Sequence, residues 1–245
     1  MTKRLASLLL TLALLPTTSL AAGGGALLES HANINDTASL QRGAALFSSY
    51  CAGCHSLNLH RYSRTAEDLD LTEAQVMENL APAGAKFAET MQVAMNPDDA
   101  AAWLGKAPPD LSLVARAKPG GHDWTYTFLK SFYVDESRPS GWNNTLLAGS
   151  SMPNVLWELQ GIQRPVYDGK HAGSAAPAHL EVASPGRLNA AEFDQVIRDL
   201  TAYLQYVGEP AALKRSSVGL WVIVFLAFFT FLAWLLKNEY WSDIH

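Results

Sequence analysis

The 245-residue sequence predicts a mainly α domain with long loops, tethered by one C-terminal helix that crosses a membrane. Three observations carry that reading. A helical pattern beginning near Asn35 runs into Cys51-Ala52-Gly53-Cys54-His55. A second helical stripe, from Phe193 to Val207, closes the domain. Between Arg215 and Lys237, Ser216–Leu236 carries no charge over 21 residues, about 31 Å as helix, which matches the hydrocarbon core of a bilayer.

At the N-terminus, Lys3 and Arg4 precede an apolar run from Leu5 to Leu15, and Ser19-Leu20-Ala21 offers small residues for cleavage. Residues 1–21 therefore read as a secretory signal, with residues 22–213 as an extracytoplasmic domain, residues 216–236 as the anchor and residues 237–245 as a cytoplasmic tail. Removing Lys3 and Arg4 from the 18 basic residues leaves 16 against 23 acidic, a net charge of −7. An acidic chain argues against nucleic acid and for a basic partner.

The CxxCH spacing is that of covalent haem attachment: two thiols one helical turn apart, followed by a histidine placed to ligate iron. A thioredoxin-like redox pair would want a βαβ context, and a zinc site would want further ligands at short spacing. The chain has no other cysteine. The expected architecture is a single-haem domain resembling class I c-type cytochromes.

Upstream of the motif, Asp36 or Thr37 can cap a helix bearing Leu40, Ala44 and Phe47, with Gly43 on the same face to admit a close neighbour. After His55 the chain reads as polar and irregular. Thr72-Glu73-Ala74-Gln75 forms a capping box for a short helix, and Asn96-Pro97-Asp98-Asp99 starts another that ends at Gly105. From Glu67 to Asp110 there are nine acids and two bases, a solvated face or a surface that steers a basic electron acceptor. Asp123 is expected to cap a helix carrying Trp124, Phe128 and Phe132, followed by a loop-rich section. Asn189-Ala190-Ala191-Glu192 is a capping box, with Leu188 and Phe193 as its hydrophobic staple. The helix it opens is expected to pack on the one before the motif.

Opposite His55, methionine or histidine would complete the iron's ligands, and a Met/His pair suits electron transfer. Met77 reads as a core residue of its helix, and Met91 with Met95 as a packing stripe. Met152 precedes Pro153 in a loop, where the thioether is free to face a metal, while His122, His171 and His179 are the histidine alternatives.

Taken together, the chain resembles the cytochrome c1 family. The resemblance rests on the CxxCH motif, Pro108-Pro109-Asp110-Leu111-Ser112 with Arg116, Phe132-Tyr133, Arg138-Pro139, Gly141-Trp142-Asn143-Asn144, Met152-Pro153, Leu156 to Gly161 and the tail anchor. It implies one haem c on Cys51 and Cys54, with His55 and Met152 as iron ligands and Pro109 packed along the ring. Arg116 and Lys118 occupy the region that meets a propionate, Lys118 standing where many members have arginine. A family disulfide found in some members is excluded, both cysteines being used. The resemblance also implies a redox subunit of a quinol–cytochrome c oxidoreductase, a bc1 complex, in a bacterial inner membrane with its haem domain in the periplasm. Electrons would pass from a Rieske iron–sulfur protein to a c-type cytochrome, with cytochrome b beside the anchor and the whole complex dimeric.

Overall fold

The computed structural model describes residues 26–93, 95–167 and 177–242. The signal expected over residues 1–21 and His171 lie outside the described residues. The elements are α1 (Thr37–Tyr50), β1 (Leu57–Arg61), α2 (Tyr62–Asp68), α3 (Glu73–Asn79), β2 (Thr90–Met91), α4 (Pro97–Leu104), α5 (Val114–Ala117), α6 (Gly121–Lys130), β3 (Phe132–Val134), β4 (Trp142–Asn144), α7 (Trp157–Gln160), β5 (Gly161–Val166), β6 (His179–Pro185), α8 (Ala190–Gly208) and α9 (Ala212–Tyr240). The strands form three separate antiparallel pairs, β1 with β2, β3 with β4 and β5 with β6, so helices supply the framework.

The core is organised on α1 and α8. Leu40, Ala44 and Phe47 meet Ile197, Leu200, Tyr203 and Leu204, and the Phe47 and Tyr203 rings lie 6.0 Å apart. Gly43 is required at the crossing: a Cβ there would lie 2.2 Å from the Asp199 carbonyl oxygen, far inside van der Waals contact. The same crossing buries a charge that the apolar stripe conceals. The Asp199 carboxylate, 3% exposed, accepts from Arg42 Nε at 2.7 Å, Arg42 Nη2 at 2.9 Å, Ser39 Oγ at 2.6 Å and Gln195 Nε2 at 2.9 Å. Four donors offset the cost of taking the carboxylate out of water.

The expected helix starts hold at Asp36, Thr72, Asn96 and Asn189, each side chain accepting from a first-turn N–H, with reciprocal capping boxes at Thr72 and Asn189. Gly105 ends α4 in the left-handed conformation. Asp123 does not cap α6. That helix begins after Gly120, whose φ of 88° turns the chain, while Asp123 sits in the first turn and accepts the Ser30 N–H at 2.8 Å. The N-terminal strap takes the carboxylate that the sequence pattern assigned to a cap. Phe132 likewise leaves the helix: α6 ends at Lys130 and Phe132 pairs with Asn144 in the β3–β4 hairpin, although its ring still meets Phe128 edge-on at 5.0 Å.

The stretch after His55, read as irregular, forms β1 and α2. Leu57 is buried and paired with Met91 of β2, so Met91 belongs to a strand rather than to a helical stripe with Met95. His60 is buried against the Tyr206 ring, its Nε2 2.9 Å from Thr65 Oγ1, and burial holds it neutral, with a pKa lowered to about 4.

α9 is long and apolar enough to cross a membrane, and none of its residues is buried by the rest of the chain. It starts four residues beyond α8. Around that neck, Glu209 faces both Arg116 and Arg215, and Lys214 lies 3.8 Å from Glu67.

Candidate functional site

The cysteines sit where α1 stops. Cys51 is the helix C-cap, its N–H bonded to the Phe47 carbonyl at 2.8 Å, and the chain tightens into a turn. The N–H groups of Cys54 and His55 both reach back to the Cys51 carbonyl, at 3.0 and 2.8 Å. Helix and turn together fix the spacing of two thiols and an imidazole without help from any other element.

Both cysteines are free. Burial, and secondarily the neighbouring Cys54, pushes the Cys51 thiol up to about 12. A redox-active CxxC needs the opposite shift, a thiol lowered toward neutrality, so the geometry does not make a thioredoxin-like nucleophile. Nor is there a zinc cluster: among the described residues no three His, Cys, Asp or Glu side chains converge on a metal position. Of the three chemistries open to the motif, the surroundings suit haem attachment.

His55 is held from a distance in sequence. Its Nδ1 lies 2.7 Å from the Pro109 carbonyl oxygen, which can only accept, so Nδ1 carries the proton and Nε2 keeps its lone pair. Burial lowers the His55 pKa, opposed by the Pro109 carbonyl and Asp110, and favours the neutral ring a metal needs. The Pro109 segment is zipped to the exit of the motif. The Leu111 N–H donates to the Ser56 carbonyl at 2.9 Å, and Asp110 accepts from Ser56 Oγ at 2.8 Å and the Asn58 N–H at 2.7 Å. The sequence places Asp110 in the Pro108–Ser112 motif and in the acidic run, and assigns it no bond to the CxxCH turn. The signal that would have found it is the Ser56 and Asn58 pair directly after the motif.

The remaining residues occupy other settings. Met152 packs, partly buried, at the margin of the core, on a loop pinned from both ends. Asn144 Oδ1 accepts from the Leu146 and Leu147 N–H groups, Arg138 Nη2 donates to the Gly149 carbonyl at 2.8 Å, and buried Asn154 binds both Gln160 and the Leu156 N–H. Arg116 is directed to Glu209 at 3.9 Å, and the Lys118 ammonium lies over the Trp124 ring, 4.5 Å from its centroid. His122 and His179 are partnered by Asp123 and Glu181.

A cleft of about 760 Å³, counting its open mouth, lies beside the motif, with Phe47, His55, Tyr62, Leu80, Met91 and Tyr203 in its walls. Cys51, Cys54, Pro109, Arg116, Lys118 and Met152 are not in those walls. Met91 is committed there: its sulfur accepts the Tyr203 hydroxyl at 3.5 Å. The donor set of the motif itself, two free thiols and an imidazole with one nitrogen tied off, is what fits a covalently held haem.

The acidic run divides. Asp68 is 2% exposed, paired with Arg64 at 2.5 Å and accepting the Tyr206 hydroxyl at 3.1 Å, and Asp110 is committed to the motif. Glu67 and Glu89 face Lys214 and Lys86. Asp70, Glu73, Glu78, Asp98 and Asp99 remain at the surface.

Comparison with known proteins agrees with the motif chemistry. The model of the Cytochrome C1 family matches residues 28–244. Cytochrome c1 of Allochromatium vinosum is 46% identical over 237 residues, covering 96% of each chain. The ammonia monooxygenase gamma subunit of Nitrosomonas europaea is 40% identical over 86% of this chain and 85% of that one. Cytochrome b/c1 of Bradyrhizobium diazoefficiens is 25% identical over 86% of this chain, which spans 34% of that longer protein. With the family model covering nearly every described residue, and with a free CxxC turn, a carbonyl-locked histidine and a membrane-length tail helix, this chain belongs to the cytochrome c1 family.

Proposed function

We propose that the chain is the haem subunit of a bc1-type quinol–cytochrome c oxidoreductase and relays single electrons from a Rieske iron–sulfur protein to a c-type cytochrome. The observation that carries this is the His55–Pro109 bond beside two free thiols: it supplies the ligand tautomer and the tethers for one haem in a domain joined to a membrane-length helix. Cys51 and Cys54 would hold the haem through thioether bonds, and His55 Nε2 and Met152 Sδ would be the protein ligands of its iron. When bound, the haem supplies a one-electron iron couple. With two protein ligands, electron transfer is favoured over reaction of small molecules at the iron.

In this reading residues 1–21 are cleaved and the haem domain lies in the periplasm. α9 packs beside cytochrome b, an association supported by the name of the cytochrome b/c1 relative, and the whole complex is dimeric. The exposed acids Asp98 and Asp99 steer a basic acceptor, and neutralising both is expected to flatten the salt dependence of acceptor reduction. Arg116 or Lys118 meets a propionate once the haem is in place. Pro109 packs along the ring.

The deciding experiment isolates the complex from membranes in mild detergent. Co-purification of a cytochrome b and a Rieske protein, together with a c-type haem that resists acidified acetone, is the expected result. Extraction of the pigment, or isolation with monooxygenase subunits in their place, would sink the reading.

A further inference from the structure

Asp110 is exposed, yet both of its carboxylate oxygens are occupied. Oδ2 accepts from Ser56 Oγ at 2.8 Å and the Asn58 N–H at 2.7 Å, and Oδ1 accepts from the Ser112 N–H at 2.9 Å. Ser112 Oγ in turn accepts the Leu59 N–H at 3.0 Å. These bonds span more than fifty residues of chain and join the segment just after the motif to the segment that presents the Pro109 carbonyl.

The reason for such a lock lies in the two prolines. Pro108 and Pro109 have no N–H, so neither can donate a backbone hydrogen bond to anchor the segment. The position of the Pro109 carbonyl must be set from the next residue onward. Asp110 supplies the side-chain bonds and Leu111 a single backbone bond, to Ser56. We infer that Asp110 is a positioning residue: it holds the Pro109 carbonyl against His55 Nδ1 and thereby sets how strongly His55 Nε2 donates to iron.

This inference rests on the haem reading above. A carbonyl that accepts the Nδ1 proton makes the imidazole a more basic ligand and favours the ferric ion, and partners of this kind alter metal affinity about 10–100-fold when removed. In Asp110→Ala the carbonyl is released, Nε2 donates less, and the ferric state loses its preference. A tenfold change in the ratio of the two iron states, the size of effect the test reads, raises the midpoint potential by about 59 mV for one electron.

Loss of a negative charge also raises a potential, so the test compares two variants of the full-length haem protein. Asp110→Asn removes the same charge but keeps an amide oxygen for Ser56 and Asn58. The expected result is a shift in Asp110→Asn less than half that in Asp110→Ala, with the histidine ring-proton NMR shifts displaced in the same order. Equal shifts in the two variants, or an unmoved potential in Asp110→Ala with only a lower Tm, overturns the inference. If Asp110→Ala does not fold, Ser56→Ala, which removes one donor to Asp110 without a change of charge, must displace the histidine signals and raise the potential, and unchanged values overturn the inference. Loss of the pigment from wild-type protein to acidified acetone would instead strike the haem reading itself.

Discussion

Two helices that follow one another at the C-terminal end meet opposite fates. α8 has eleven of its 19 residues buried, including charged Asp199, while α9 has none of its 29 buried. Composition alone would place the second deeper than the first. What separates them is the direction of the apolar residues. On α8 an apolar stripe is directed at α1, and α5 and α6 also close over the helix, while polar residues of its first turns face solvent. On α9 the apolar residues surround the helix, so no single protein surface could cover them, and lipid is the solvent that can. A stripe seeks a protein partner; a sleeve seeks a membrane.

At the α1–α8 crossing the largest loss is expected from Asp199. Replacing it with Ala leaves the buried Ser39 hydroxyl, Gln195 and half-exposed Arg42 without their shared acceptor, and a loss of about 3 kcal/mol of domain stability is expected in urea unfolding, with membrane retention unchanged. The converse substitution, Leu226→Asp in the middle of α9, costs about 3 kcal/mol of insertion, read as release of the chain from carbonate-washed membranes, and leaves the unfolding midpoint of the haem domain where it was.

His60 packs on Tyr206 of α8, a contact through which pH acts on the buried helix and not on the exposed one. Its pKa falls from 6.5 unfolded to about 4 folded, chiefly through burial, so the unfolded chain takes up the proton first. The neutral-form stabilisation is complete above pH 6.5, declines as pH falls from there, and is lost below pH 4, at about 3 kcal/mol in all. Chemical denaturation across pH 7 to 4 is expected to show that decline in wild type and a flatter profile in His60→Gln. A wild-type profile no steeper than the variant's would reject the assignment. At the neck between the helices the effect is smallest. Glu209→Gln removes exposed pairs with Arg116 and Arg215, and a change of no more than about 0.5 kcal/mol is expected.

Local signals in the chain determined much of this protein. Side-chain caps at Asp36, Thr72, Asn96 and Asn189 and the CxxCH turn each depend on residues within one or two helical turns of one another, and α9 is a single uninterrupted run, so spacing and composition suffice to read them. Gly43 was legible as a point of close approach for the same reason, lying one turn from Phe47 on the face that the stripe defined.

Tertiary structure decided the partners. Asp123 turned from helix cap to acceptor for Ser30, and Phe132 from helix to hairpin. Asp68 and Asp110 turned from surface charge to ligands of Arg64, Tyr206, Ser56 and Asn58. A carboxylate has the same local pattern whether it faces water or a donor a hundred residues away. Only the folded chain brings such a donor close, and so only the fold selects which acids are solvated and which hold the CxxCH turn in place.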